Sequence, residues 1–509
     1  MKMLKMLFSR FPILVLAIVI QAAALGVALT YYAEYFFWLE TAGLVVALAV
    51  FLHMIHRDTS AEAKLPWTFL LIVTPLFGTV LYIFLANPKI RRKQNEELSR
   101  IENVREELLA SSNEYRQALL GTLGEHTGVE NYLTASAYSR GYLNNRVAYF
   151  GDGAAFFDDL CRSLEEAEQF IFMEYFIIEH GAVWDKIHEI LLRKRREGVE
   201  VRILYDDFGS LGKLSGNYHK RLISEGIECR RFNPIRPVLS GIFNYRDHRK
   251  ITVIDGKIGY TGGMNIGDEY AGLAHPYGRW KDSSLRIEGP SVGNLTFLFL
   301  QLYDTTDGTT SEYAKYFLPI PSLDGTGGYV HAFGCGPLPF YREQIAENTF
   351  LNMIGAARRR VYVTTPYLIT DRALMTALKN AAKRGVDVRI VTPHIPDKKL
   401  VFQLTRASYR PLLEDGVRIY EYTPGFIHSK QMLVDDEIAF VGTINLDYRS
   451  LSHHFECGAI LCRTPALTDI GRDFEELFEV SQEQTRENFK QSLCGRAISS
   501  VLLMFSPLF

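Results

Sequence analysis

Three long apolar runs crowd the first ninety positions: Phe11 to Tyr32, Phe37 to Ile55 and Pro66 to Ala86. Each approaches the roughly 20 apolar residues that cross a hydrocarbon core. Tyr31, Tyr32, Tyr35, Trp38 and Trp67 stand at the run ends, where interfacial aromatics belong. The pattern predicts an anchor over residues 1–88 with two or three transmembrane helices. The first run has a second reading. Lys2, Lys5 and Arg10 before an apolar stretch with Ala22, Ala23 and Ala24 also fit a cleaved signal peptide. Lys89, Arg91, Arg92 and Lys93 after the last run favour a cytoplasmic side for the rest of the chain.

Residues 89–125 then turn charged, with no proline after Pro88, and mix signs through Glu96, Glu97, Arg100, Glu102, Arg105, Glu106 and Glu107. That spacing predicts a linker helix. Beyond it, helical stretches alternate with apolar strands, and the order occurs twice. Arg196–Leu204 returns as Lys383–Val391, Leu222–Phe232 as Leu412–Tyr422, and His248–Ile266 as His428–Leu446. In each copy a helix should end at Gly198 or Gly385 and a β-branched strand follow; a second helix should end at Gly226 or Gly416. The alternation predicts an α/β chain with two tandem sandwich halves, residues 126–325 and 326–490. A short apolar tail, 491–509, either lies in a membrane interface or packs on the domain.

Charge narrows the partners. The 56 basic and 58 acidic side chains nearly cancel, which argues against nucleic acid, since that needs a concentrated basic footprint. The six cysteines (Cys161, Cys229, Cys335, Cys457, Cys462 and Cys494) are scattered, with no CxxC pair. Neither a zinc site nor a disulfide framework suits that spacing, so buried reduced thiols are expected.

The chemistry lies in the third repeated segment. His248-Arg-Lys250 opens an apolar run to Asp255, followed by Gly262, Gly263 and Asn265; His428-Ser-Lys430 leads to Asp435, then Gly442, Thr443 and Asn445. On a strand, side chains two apart share a face, so each His and Lys project together. Asp255 and Asp435 lie five beyond the lysines, an odd separation that disfavours them as direct participants. Small residues before each Asn permit close backbone approach, letting its amide reach the same pocket. Two sets of His, Lys and Asn suit phosphoryl chemistry. One imidazole attacks phosphorus and the other protonates the departing alkoxide, while lysines and amides stabilise the non-bridging oxygens. No carboxylate cluster with metal-ligand spacing accompanies them, so a reaction without metal or cofactor is expected.

His-x-Lys-x4-Asp followed by Gly-(Ser/Gly/Thr)-x-Asn, complete in both copies, resembles the signature of the phospholipase D superfamily. The resemblance implies two phospholipase-D-like halves meeting across a pseudo-two-fold axis, each giving one histidine, and a covalent phosphohistidine. It assigns the nucleophile to His248, the acid/base to His428, and a structural role to the motif aspartates. It also implies an acid downstream of each motif that orients a histidine ring; alignment of Lys281–Ile287 with Phe455–Leu461 nominates Asp282 and Glu456. Thr261–Tyr270, Met173–Phe176, Thr365–Tyr367 and Asn445–Ser450 are further similar to bacterial cardiolipin synthases, as is Pro66–Lys89. The chain departs from that family in having His453-His-Phe-Glu456 where Leu-Asn-Phe-Glu is usual.

This resemblance implies transfer of a phosphatidyl group from one phosphatidylglycerol to another, with release of glycerol, at the bacterial plasma membrane. Alternatives are a hydrolytic phospholipase D, transfer to another alcohol, a non-catalytic lipid-binding protein, and a nuclease. Intact histidines oppose the third, and the apolar runs with neutral charge oppose the fourth. Oligomeric state is left open.

Overall fold

The computed structural model describes residues 33–57, 59–86, 113–137, 139–235, 244–317, 328–338, 340–489 and 493–508, with residues 20, 23, 24, 26 and 27 before them. The first apolar run, the basic cluster after Pro88 and the linker up to residue 112 therefore lie almost wholly outside the described residues. Helix Asn113–Leu123 covers the described part of that linker.

The described residues up to Ala86 belong to a compact unit of their own. The second apolar run lies in helix Ala33–Ile55, which also carries Glu34 and Glu40. The third run is interrupted. Helix Ala61–Val73 stops at Thr74, Pro75 opens helix Pro75–Leu81, and a π-helical turn covers Tyr82–Ala86. Proline lacks the N–H and clashes with the preceding turn, so a new helix starts there instead of the old one continuing. Among the described residues, no helix is long and apolar enough to cross a membrane.

The remainder is the α/β unit, and its two sheets share one strand order. In the first half the order is Arg146–Phe150, Ser284–Glu288, Ile258–Gly262, Lys250–Ile254, Phe170–Tyr175, Glu200–Asp206, Glu228–Phe232. In the second it is Tyr329–Cys335, His454–Cys462, Ile438–Gly442, Gln431–Val434, Arg360–Thr364, Asp387–Pro393, Arg418–Tyr422, with Tyr142–Leu143 and Ser481–Gln484 added at the edges. Strand for strand, the second sheet repeats the first, as the sequence duplication requires. The predicted helix ends hold: Ala182–Arg196 and Arg372–Lys383 stop just before Gly198 (φ 95°) and Gly385 (φ 90°). Glycine reaches that left-handed geometry without a Cβ clash, and so ends a helix and releases the strand behind it.

Helix Val292–Asp307 is apolar around most of its circumference, the mark of a helix buried on all sides. It packs against Lys250–Ile254 and Phe170–Tyr175 of one sheet and Tyr329–Cys335 of the other, and is buried along most of its length. One continuous apolar core therefore runs through both halves. Five cysteines (Cys161, Cys229, Cys335, Cys457 and Cys462) are free and buried, as expected. The tail forms helix Leu493–Phe505 against helix Lys399–Ala407.

Candidate active site

Each histidine is carried by a chain segment that leaves its own half to pair with the other. Arg246–Asp247 runs parallel to the start of strand His454–Cys462, and Gly425–Ile427 runs parallel to Arg279–Lys281. The pairing continues into the histidines. The His248 backbone N–H donates to the Phe455 carbonyl at 2.9 Å, and that of His428 to the Lys281 carbonyl at 2.7 Å. The next residue in each acceptor strand is the nominated acid, so the carboxylates are exchanged. Nδ1 of His248 donates to Glu456 at 2.8 and 2.9 Å, and Nδ1 of His428 donates to Asp282 at 2.6 Å. A carboxylate acceptor fixes the proton on Nδ1 and leaves the lone pair on Nε2.

Between His248 and Lys250 the alternation turns Arg249 to the opposite side, into the core. Its guanidinium donates to the Leu298 carbonyl (3.1 Å) and the Tyr341 hydroxyl (2.9 Å) and lies 3.9 Å from the buried Glu174 carboxylate. In the second copy Ser429 does the same more simply, donating to Thr364 at 2.9 Å. Lys250 and Lys430 fold back so that Nζ donates to the carbonyls of His248 and His428.

Burial dominates the electrostatics. Burial, then Lys250, His454, Lys430 and His428, holds His248 neutral far below the usual imidazole range. Burial and Lys430 lower His428 to about 4, although Asp282 opposes them. Lys430 falls to about 7 and Lys250 to about 8, again chiefly through burial. Burial works to raise Asp282, but the charges of His428 and Lys430 outweigh it and keep the group below the ordinary carboxylate range. Glu456 goes the other way, because burial exceeds what Lys250 and the Thr443 hydroxyl return.

The small residues before each asparagine serve the acids. A Cβ on Gly263 would meet Asp282 Oδ1 at 2.0 Å, so only glycine admits that carboxylate. At the matching position Thr443 instead donates its hydroxyl to Glu456. Asn265 accepts from the Ile177 N–H (3.0 Å) and donates to the Tyr270 hydroxyl (2.7 Å), so its amide is engaged within its own half. Asn445 Oδ1 is buried without a hydrogen-bond partner. Asp255 and Asp435 take no place beside the imidazoles. Asp255 accepts from the N–H groups of Glu168, Gln169 and Phe170, each at 2.8 Å; Asp435 accepts from Arg358, Arg359 and Arg360 at 2.7–2.8 Å. Both adopt left-handed turns (φ 52° and 54°) that begin the hairpin to the next strand.

Comparison with known proteins bears on this arrangement. Residues 160–275 and 350–478 match the family described as cardiolipin synthase, PLD-like domain, and residues 45–87 match the phospholipase D-nuclease N-terminal family. A cardiolipin synthase of Halalkalibacterium halodurans is 34% identical over 91% of this chain and 91% of its own length. An uncharacterized protein of Streptococcus mutans is 39% identical over 90% of this chain and 99% of its own. The chain belongs to the cardiolipin synthase family. Its fold also resembles that of a phosphatidylserine synthase from Haemophilus influenzae, with a TM-score of 0.56 at 13% identity, covering 75% of this chain and 98% of that one. For this member of the cardiolipin synthase family, sequence reasoning located both acids but left open which histidine each one holds. It missed three of the rings around them: Tyr270 and Trp280 lie 5.6 and 5.4 Å from His428 and Phe176 lies 5.0 Å from His248, whereas His454, already singled out as a departure from the family, lies 5.6 Å from His248. A cavity of about 450 Å³ opens beside Tyr270 and Trp280, lined also by Asp152, His275 and Arg279.

Proposed function

We propose that this chain moves a phosphatidyl group from one phosphatidylglycerol to the hydroxyl of a second, forming cardiolipin and releasing glycerol. His248 attacks the phosphorus through Nε2, the P–O bond to glycerol breaks, and His428, which enters this step as the imidazolium after taking a proton on Nε2 when the anionic phosphodiester binds, gives that proton to the departing oxygen. The second phosphatidylglycerol then returns a proton to His428 as its hydroxyl attacks the phosphohistidine, and His248 leaves. His248 suits the attack because burial and the neighbouring Lys250 hold it neutral, with its Nε2 lone pair free. His428 suits the acid role because ionised Asp282 stabilises the imidazolium it passes through. Lys250, Lys430 and the amide of Asn445 stabilise the oxygens of the transferring group, while Asn265 holds Tyr270 beside His428. The observation that carries this reading is the exchanged pair of His–carboxylate bonds, one from each half to the other.

The same proposal places the enzyme at the bacterial plasma membrane, with residues 1–88 as its anchor and the catalytic unit on the cytoplasmic side. Leu44, Val45, Leu48, Leu52, Ile72, Val73, Ile83 and Phe84 are exposed, an apolar density that water does not favour and lipid does. Lipid chromatography of cells expressing wild type or His248→Ala tests the activity. Cardiolipin should accumulate with wild type only. Equal amounts in both would refute the proposal, and phosphatidic acid as the sole product would indicate hydrolysis.

A further inference from the structure

The pseudo-two-fold relation lets each neighbour of His428 be compared with its counterpart at His248, and the two flanks differ in chemistry. Trp280 stands two residues before Asp282, and His454 two before Glu456. Both lie against the histidine of the other half, at 5.4 Å and 43° for Trp280 and 5.6 Å and 46° for His454. Phe426 stands two residues before His428 and Arg246 two before His248; Phe426 pairs with Trp280 across the strands, and Arg246 pairs with His454. Four residues after the motif asparagine come Glu269 in the first copy and Arg449 in the second. Through one symmetry relation, Trp becomes His, Phe becomes Arg and Glu becomes Arg. The His428 flank is aromatic and the His248 flank is basic.

The basic flank has unused hydrogen-bonding capacity. Both ring nitrogens of His454 are buried without a hydrogen-bond partner, and the nearest carboxylate oxygen, on Glu456, is 3.6 Å away. A buried polar ring without partners is costly, and a ligand that satisfies it recovers that cost. His248, His454 and Glu456 do bring ligand atoms within 4.8 Å of one another, as a metal ion would need. The charges of Arg449, His453, Lys250 and Arg246 all act on the same ring, however, opposing a cation and favouring an anion. The Arg246 guanidinium also donates to the Asn233 carbonyl at 3.0 Å and lies 3.6 Å from Asp206. The phosphate under attack is already matched to the His, Lys and Asn sets. The reaction proposed above brings a second one, three glycerol carbons away from the attacking hydroxyl. With that hydroxyl in line with phosphorus, the acceptor's own phosphate falls to one side of the reacting centre.

We propose that Arg246, Arg449 and His454 form a second anion subsite beside His248 that holds the phosphate of the acceptor phospholipid. The proposal rests on the phosphatidyl-transfer reading. On the opposite flank Tyr270, Trp280 and Phe426 themselves supply no charge beside His428.

The test uses the full chain in vesicles of phosphatidylglycerol and phosphatidylcholine with labelled glycerol added. Cardiolipin reports an acceptor that carries phosphate. Label entering phosphatidylglycerol reports glycerol, an uncharged acceptor, attacking the same intermediate. Arg449→Gln and His454→Phe should each lower the ratio of cardiolipin formed to glycerol exchanged by about tenfold or more, as expected for losing a charge-assisted contact. Both products come from one sample, so loss of folded protein leaves the ratio unmoved. An unchanged ratio in both variants would overturn the subsite. Wild type that makes neither product would overturn the transferase reading, and the subsite with it.

Discussion

Glu456 holds the ring of His248 across 208 positions of sequence, through two contacts of 2.8 and 2.9 Å that join one half of the molecule to the other. Asp282 returns the arrangement to His428 at 2.6 Å. Neither half supplies the carboxylate that orients its own histidine, so the two rings are held only where the halves meet.

Glu456→Gln and Asp282→Asn should therefore each lower kcat by on the order of 10²-fold with KM little changed, because the amide no longer fixes the Nδ1 proton. Steady-state kinetics of each variant against wild type provides the check. An equal rise in KM at constant kcat would assign the acids to lipid binding instead.

The lysines set an alkaline limb. Their folded pKa values lie below the ordinary lysine value, at about 7 for Lys430 and about 8 for Lys250, and the charged form exists below those values. Raising pH through 7 to 8 thus removes the charge that attracts phosphate, and kcat/KM should fall there. Bound substrate opposes deprotonation, so the fall in kcat comes at higher pH. Lys430→Arg, charged throughout this range, should lose the lower step while retaining some transfer. A pH–rate profile flat from 6 to 9 would contradict this.

Asp255→Ala and Asp435→Ala act on stability. Each removes one carboxylate that satisfies three backbone N–H groups, so unfolding free energy should fall by about 3 kcal/mol. Denaturant titration measures this loss. The kcat of the protein that remains folded should stay within a few-fold of wild type, because neither carboxylate touches an imidazole.

Gly263→Ala places a Cβ 2.0 Å from Asp282 Oδ1 and must displace that carboxylate from His428. The expected result is a loss of activity matching Asp282→Asn, with thermal unfolding close to wild type. Normal kcat in a folded Gly263→Ala protein would show that Asp282 tolerates displacement.

These elements differed in how readily the sequence disclosed them. The repeated His-x-Lys strands, the glycine-ended helices and the distance of the aspartates from the chemistry follow from periodicity and spacing, which are local properties; the structural role of the aspartates is what the family resemblance implies. Exchange of Glu456 and Asp282 is not local. Within each copy the acid lies downstream of its own histidine, and only the parallel docking of Arg246–Asp247 and Gly425–Ile427 on the opposite half reverses the pairing. No role for Arg249 was legible in the sequence, because nothing in the chain order announces Glu174, Leu298 and Tyr341 around it. The third apolar run read as continuous because hydropathy averages over Thr74 and Pro75, where the helix restarts.

The central claim, one site from two halves, is tested most directly by cardiolipin formation from phosphatidylglycerol with His248→Ala, His428→Ala and the double variant. Each single variant should fall by on the order of 10³-fold or more, and the double variant should be no slower than either, because the two imidazoles act as one unit. Substantial activity in either single variant, with further loss in the double, would show two independent sites and contradict the account.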